Sequence, residues 1–429
     1  VTDPVLPATE PAAQRWRTRD LALGGTLLAL VLAVSGVALG QGPQHEAGRA
    51  PADVVFRGDA FDKPVPDNTV APAPAASLDV VLPQLKAFVS QTRGLPFTAD
   101  VAVTLLPSAE FRTKLDESPE GEQDSEQEKH DAADSWLALR LSDSRADLED
   151  DGDAFEDGVI GFYDSEEKAL ILRADAGLTP YVQRTLVHEL THALQDQHFD
   201  LVAEALDDLD DESAFIHQIL VEGDANWVDQ KWYDAQPRAV RAQVDREEEE
   251  LFGDTEDDDE EPSPLELIGY YPYVAGPELV QQLRDAGGQA RLDDAFTHLP
   301  TSTRQVTDLD AEDPVSVPKP AAQDPYGIVP TGGREVETGV MGSALLSVLI
   351  QDYPWMPEHA DWWRGDRYVT TEVDGQICIS VDLVVDTARH AKQLVEDLED
   401  YGDYAAFTQG DAGVAIRSCV DGEDVDKGA

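Results

Sequence analysis

The segment His188-Glu189-Leu190-Thr191-His192, inside LVHELTHALQDQHFD, restricts this chain more than any other. On a helix, positions i and i+4 lie on one face, so both imidazoles can reach a single ion. Tetrahedral zinc accepts imidazole nitrogen at about 2.0–2.1 Å, and a glutamate beside the first histidine can hold the water that such an ion polarises. Leu186, Val187, Leu190, Ala193 and Leu194 around the motif are apolar, which predicts a helix buried on one side. A buried histidine pair beside a glutamate is hard to account for as packing, because each group would need its own polar partner.

Zinc then needs a third protein ligand, with the fourth position left for water. His198 lies ten residues after His188, the spacing of H-E-x-x-H-x-x-G-x-x-H, but Gln195 stands where that motif has its helix-breaking glycine. Without the break His198 sits about 15 Å along the helix from His188, too far to share an ion. Glu222, thirty residues after His192 in FIHQILVEGDANW, follows apolar Ile219, Leu220 and Val221 and so faces or borders the core. A buried acid without a cation is costly and ligation relieves it, so Glu222 is the favoured ligand and His198 a capping or outer residue. Asp224 and Asn226, just past Glu222, are candidates to hold the ring N–H of each histidine, or plain surface polar groups.

Hydropathy periodicity gives an α+β body. Helices are expected over Leu78–Gln91, from Pro180, over Ser213–Trp232, Glu278–Ala286, Glu337–Leu349 and Ala388–Leu398; strands over Thr98–Leu105, Gly158–Tyr163, Ala169–Arg173, Arg367–Val373, Gln376–Val385 and Val414–Cys419. Asp374-Gly375 supplies the tight turn of a C-terminal hairpin. Ala169–Arg173 reads either as an edge strand able to pair with an extended peptide or as an ordinary sheet strand. Residues 78–365 form the main domain on this reading and residues 366–429 a small C-terminal α/β lobe.

HELTHALQDQHFDL followed by EGDA resembles a family of largely uncharacterised bacterial and archaeal proteins in the gluzincin branch of zinc metallopeptidases. GFYDSEEKALILR, YVAGPELVQQL, LPTSTRQV and WWRGDRY fit the same family, over about residues 80 to 400; one departure is Arg364, where the last motif usually carries glycine. The resemblance implies a thermolysin-like zincin core: the H-E-x-x-H helix beside a small sheet, then a mostly helical second half. It implies His188, His192 and Glu222 as zinc ligands and Glu189 as catalytic base. An oxyanion donor is expected among Tyr270, Tyr271, Tyr273, His298 and Arg304; Tyr273, in the family-like Y-x-x-G stretch, leads, although aromatics at such spacing also build cores.

Location follows from the ends. Leu21–Gly40 is twenty residues without a charge, preceded by Arg15, Arg17 and Arg19. At helical rise it spans about 30 Å, the thickness of a bilayer core. The positive-inside rule puts residues 1–20 in the cytoplasm and the rest outside, behind a Pro/Ala-rich linker over 41–77. A signal peptide cut near Ala38 or Gly40 is the competing reading, which would make the domain secreted. Cys378 and Cys419, the two cysteines, are expected to pair as a disulfide clamping C-terminal strands.

Charge closes the survey. The 429 residues carry 31 Lys plus Arg and 87 Asp plus Glu, a formal net charge of −56. Nucleic acid and anionic lipid surfaces are poor partners for such a chain. Four runs, Asp116–Asp134, Asp143–Asp157, Glu204–Glu212 and Asp245–Glu261, hold −32 of that charge and read as solvated loops. A salt-adapted host explains the acidic body, and acid around the cleft predicts a preference for basic or neutral peptides. The function expected is thus a membrane-anchored extracellular zinc metallopeptidase acting on a peptide or protein substrate. The alternatives are a binding or scaffold ectodomain with structural zinc, or a zinc hydrolase of a non-peptide bond.

Overall fold

Helix ends fall where local chemistry places them. In α4 (Pro180–Phe199), Thr179 accepts the Val182 N–H at 3.3 Å, Pro180 sits where its missing N–H costs nothing, and Asp200 closes the end with a left-handed φ of 55°. In α5 (Asp211–Ala235), Asp210 accepts the Ser213 N–H at 2.9 Å. In α7 (Pro264–Gly287), Ser263 and Glu266 form a reciprocal capping box. The computed structural model describes residues 77–422 except 117–125, 143, 146–147, 149–158, 175, 203–208, 253–262, 322, 351–359 and 402–404. The candidate membrane segment Leu21–Gly40, its cytoplasmic tail and nearly all of the linker lie outside the described residues, as does most of Asp143–Asp157. Among the described residues no helix is long and apolar enough to cross a membrane.

The described residues form an α+β fold of eleven α-helices and two sheets. The chain opens with α1 (Leu78–Arg93), β1 (Ala102–Leu106), α2 (Ser108–Asp116) and α3 (Glu126–Ala138). β2 (Gly161–Asp164) and β3 (Ala169–Arg173) then make an antiparallel hairpin, and β1 pairs parallel with β3. The sheet order is therefore β1-β3-β2, so Ala169–Arg173 is central and cannot accept an added strand. A strand-like stretch alone does not say which neighbours flank it; here β1 takes the side that an edge strand would leave open.

Between the sheets run α4, α5, α6 (Arg238–Phe252), α7, α8 (Gln289–Ala295) and the short α9 (Arg304–Thr307). The C-terminal sheet is antiparallel, in the order β4-β5-β6-β8-β7, from β4 (Arg334–Gly339), β5 (Trp363–Val373), β6 (Gln376–Val385), β7 (Ala405–Gln409) and β8 (Gly413–Asp421). α10 (Gly342–Leu349) follows β4, and α11 (Ala388–Tyr401) joins β6 to β7. Cys378 and Cys419 face each other across β6 and β8 and form a disulfide.

Four expectations are corrected. Glu337–Leu349 is not one helix: Glu337 belongs to β4, paired with β5, and the helix starts at Gly342, whose N–H Asp366 accepts at 2.9 Å. Glu278–Ala286 is only the end of α7, which continues through Pro272 and Pro277, residues that sequence reading treats as breaks. The acidic run Asp116–Asp134 is not simply an exposed insertion, since Glu126–Asp134 lies in α3 and Asp134 is buried against Arg145. Asp245–Phe252 is helical, in α6, not loop.

Apolar residues gather in two large clusters that meet on α5. Phe215, Ile216, Ile219 and Leu220 pack with α7, α10 and the five-stranded sheet. Val228 and Trp232, further along, pack with α1, α4 and the three-stranded sheet. Each such side chain, fully buried, contributes about 1.5–3 kcal/mol. Glu222 lies between these two halves of α5, at the seam of the clusters.

Candidate metal centre

α4 presents His188 and His192 on one face with the apolar residues of the helix behind them; His188 is 0% and His192 4% exposed. The two Nε2 atoms are 2.9 Å apart, with the rings edge to face. From α5, Glu222 brings Oε2 to 3.2 Å from His188 Nε2 and Oε1 to 3.6 Å from His192 Nε2. One donor atom from each residue lies within 4.8 Å of the others, a group that could hold a metal ion.

The far side of each ring fixes its proton. His188 Nδ1 is 3.3 Å from Asp229 Oδ2, and a carboxylate only accepts, so Nδ1 donates. His192 Nδ1 is 3.0 Å from Gln195 Oε1. The orientation of that amide is set, because Gln195 Nε2 donates to Val221 O at 2.9 Å and to Asp224 Oδ2 at 3.2 Å. In the neutral rings both Nε2 atoms are therefore bare lone pairs, facing each other beside a carboxylate, and Glu222 Oε1 is buried with no hydrogen bond. Lone pairs and negative charge converge where low dielectric makes them costly, and a positive charge, either a bound cation or a proton on His188, relieves them.

The electrostatics favour a proton on His188 where the group holds no cation. Burial works against a charged His188, yet hydrogen bonds to Asp229 and Glu222 outweigh it and push its pKa up to about 10. Burial holds His192 below the ordinary imidazole value. Burial would also raise the Glu222 carboxyl, but His192, His188 and the Tyr273 hydroxyl bring it down.

Glu189 is 2% exposed and its charge acts on both His188 and Tyr273. Tyr273, on α7, lies over His188 with ring centroids 6.4 Å apart, and its hydroxyl is hydrogen-bonded to Glu222. This meeting depends on two glycines. A Cβ on Gly223, next to Glu222, would lie 2.3 Å from the Gly276 carbonyl carbon, and one on Gly276 would lie 2.5 Å from Ile219 O. The EGDA and Y-x-x-G stretches thus let the α5 and α7 backbones touch, which carries Tyr273 to Glu222.

Other sequence candidates fall elsewhere. Asp224 and Asn226 do not hold a ring N–H: Asp224 accepts from Gln195 and from Arg93 Nε at 2.5 Å, one step outside the imidazole, and the buried Asn226 Nδ2 has no hydrogen bond. The residues in that role are Asp229 and Gln195. Helix spacing carried the signal, since Asp229 is two turns beyond Glu222 and Gln195 one turn beyond His192. His198 bonds Pro96 O at 2.8 Å and is no part of the group. Tyr271 packs on Phe215, His298 is exposed against Asp294, and Arg304 lies close to Arg364, so none of these joins Tyr273. No protein-family model, no curated protein and no solved structure matches this chain.

Proposed function

We propose that this chain is a zinc metallopeptidase of the thermolysin-like type, with His188, His192 and Glu222 as ligands and Glu189 as general base. One observation carries the reading: two imidazole lone pairs and an unbonded carboxylate oxygen converge, with Glu189 one residue from the first ligand. Borderline-soft zinc suits a His₂Glu donor set, which leaves a coordination position free for reactant. The α4 helix under a small sheet, followed by a glutamate on the next helix, supports a zincin core. β2 of that sheet lies against α4, with the Tyr163 hydroxyl donating to Asp196 at 2.7 Å, which ties the sheet to the helix that carries both histidines.

Bound zinc would supply Lewis acidity and make a water more acidic. Glu189, buried beside the first histidine, would be the group that accepts a proton from an attacking water and passes it to the departing amine. The Tyr273 hydroxyl, placed on Glu222, turns to donate to the oxygen that gains charge. Gln195 and Asp229 keep the imidazoles in the tautomer that leaves Nε2 free.

The location proposed is the outer face of a membrane, behind Leu21–Gly40, or secretion if that segment is cut. Its support is the uncharged run, together with a disulfide that belongs in an oxidising compartment. The charge of −56 supports a salt-adapted host.

Burial of the group favours a second reading, in which the metal is structural in a binding ectodomain; Glu222 is only 1% exposed. Glu189→Gln separates the two. In a peptide-library digest with metal content measured in parallel, the peptidase reading expects zinc retained and cleavage reduced at least about 100-fold. Zinc retained with no wild-type cleavage would overturn it in favour of a structural ion. Glu189-dependent hydrolysis of esters but not peptides would assign a non-peptide hydrolase.

A further inference from the structure

The most acidic run of the chain reaches the metal centre through one arginine. Arg184, one turn before His188 on α4, places Nε at 3.1 Å from Asp229 Oδ1, while Asp229 Oδ2 faces His188 Nδ1. Each oxygen of that carboxylate thus has a single partner, and the two together fix its plane. Arg184 Nη1 lies 3.7 Å from Glu248 on α6, and Nη2 donates to Gln230 Oε1 at 3.4 Å. The guanidinium sits 5.2 Å over the Tyr233 ring, whose hydroxyl donates to Asp245 Oδ1 at 2.6 Å. Glu247, beside Glu248, accepts the Tyr181 N–H at the start of α4 at 2.9 Å. The α6 part of the acidic run is therefore bonded to α4 at two points, through Glu247 and Glu248, and to α5 through Asp245.

These groups are largely shut from water: the side chains of Arg184, Asp229 and Glu248 are 13%, 6% and 9% exposed. Two carboxylates at that depth repel each other, and the arginine between them is what lets both stay. Its planar fork, unlike a point charge, also dictates which oxygen of Asp229 is left for the imidazole.

We propose that Arg184, held from outside by Glu248, is a positioning residue for the metal centre: it orients Asp229 so that His188 turns a free Nε2 toward the ion. The proposal rests on the metal-centre reading above. It gives the acidic helix α6 a part in that centre rather than in solvation alone.

The test uses the full chain with Arg184→Met, Arg184→Lys and Glu248→Gln. Zinc affinity is measured by competition with a chromophoric chelator, the Co²⁺-substituted visible spectrum is recorded, and unfolding of the metal-free proteins is followed separately. Arg184→Met should bind zinc about 10- to 100-fold more weakly, with an altered Co²⁺ spectrum, and Arg184→Lys should recover part of the loss. If Arg184→Met does not fold, Glu248→Gln should still weaken zinc several-fold. Folded Arg184→Met with wild-type affinity and spectrum would overturn the proposal, as would Glu248→Gln with wild-type affinity where Arg184→Met does not fold. A wild-type chain that takes up no zinc would overturn the metal-centre reading and this inference together.

Discussion

Helix α5 carries two buried acidic sites ten residues apart, Glu212 in its first turn and Glu222 in its middle, and they are satisfied in opposite ways. At the first, neutral donors close the group: Thr303 gives its N–H at 2.7 Å and its hydroxyl at 2.9 Å to Glu212 Oε1. Nearby, Tyr368 donates to Asp211 at 2.8 Å, while Asp366 accepts from Met341 N, Gly342 N and Trp363 Nε1. At the second, Glu222 takes one hydroxyl bond, from Tyr273, its other neighbours are imidazoles whose near nitrogens have no proton in the neutral form, and its Oε1 has no donor at all. Burial of an acid is therefore not what marks a ligand. The mark is a partner set with too few protons, which a cation completes.

The largest way to break this contrast is to remove an imidazole. His192→Ala should abolish stoichiometric zinc binding, read by metal analysis after desalting, while Glu212→Gln should leave it at the wild-type level. Chelation should lower the thermal midpoint of the wild type and Glu212→Gln but not of His192→Ala, because a bound ion at 100 times its Kd adds about 2.7 kcal/mol. Equal zinc loss in both variants would erase the distinction.

The second test acts on the first site through pH. Burial pushes the Glu212 carboxyl up from 4.5 to about 8; the Thr303 bonds oppose the shift, and Asp366 and Asp210 add repulsion. The folded chain then holds a proton that the unfolded chain has released. This stabilisation is complete below about pH 4.5 and is lost as pH rises to about 8, at about 1.4 kcal/mol per unit. Denaturant unfolding across that range should show a slope in the wild type that Glu212→Gln flattens. Identical slopes would mean that the carboxyl is not held neutral.

A pair of glycine variants sharpens the comparison further. Alanine at Gly276 would set a Cβ 2.5 Å from Ile219 O, and at Gly342, where φ is +78°, one 2.6 Å from Glu212 Oε1. Both should cost about 1–3 kcal/mol by overpacking, read by denaturant midpoint. Only Gly276→Ala should also weaken zinc binding, since it parts the helices that bring Tyr273 onto Glu222. Equal zinc affinities in the two would show that the α5–α7 contact does not set the centre.

The same contrast explains what could be read from the sequence. His188, Glu189 and His192 lie within one helical turn or so, and helix periodicity alone puts the histidines together. Glu222 was legible as an acid in an apolar helix, but Glu212 satisfies much the same description and is closed by Thr303, itself bonded to Ser343, from far along the chain. LPTSTRQV and WWRGDRY meet around that first-turn site, so these stretches serve the junction between α5, α10 and the C-terminal sheet. Arg93, which bonds Asp224 across 131 positions of sequence, carried no local signal. The length of α7 was hidden by its prolines, and the central place of β3 by the lack of any sequence rule for which strands become neighbours.

The smallest expected effect belongs to His198, the histidine that competed with Glu222 for the third ligand. Its Nε2 is hydrogen-bonded to Pro96 O on the outer side of α4, one exposed contact at 2.8 Å. His198→Ala should change stability by less than about 1 kcal/mol, as loss of one exposed contact in the last turn of a helix does. Its zinc affinity should match the wild type, where Glu222→Ala should lose binding by several orders of magnitude. A ligand must point where its helix face points, and His198 lies nearly three turns beyond His188 with nothing at Gln195 to bend the chain back. Gln195 holds the His192 ring in place of such a bend, so the helix stays straight, and on the proposed reading the third ligand comes from α5. Zinc lost from His198→Ala and kept by Glu222→Ala would reverse that logic and merge the two acidic sites of α5 into one class.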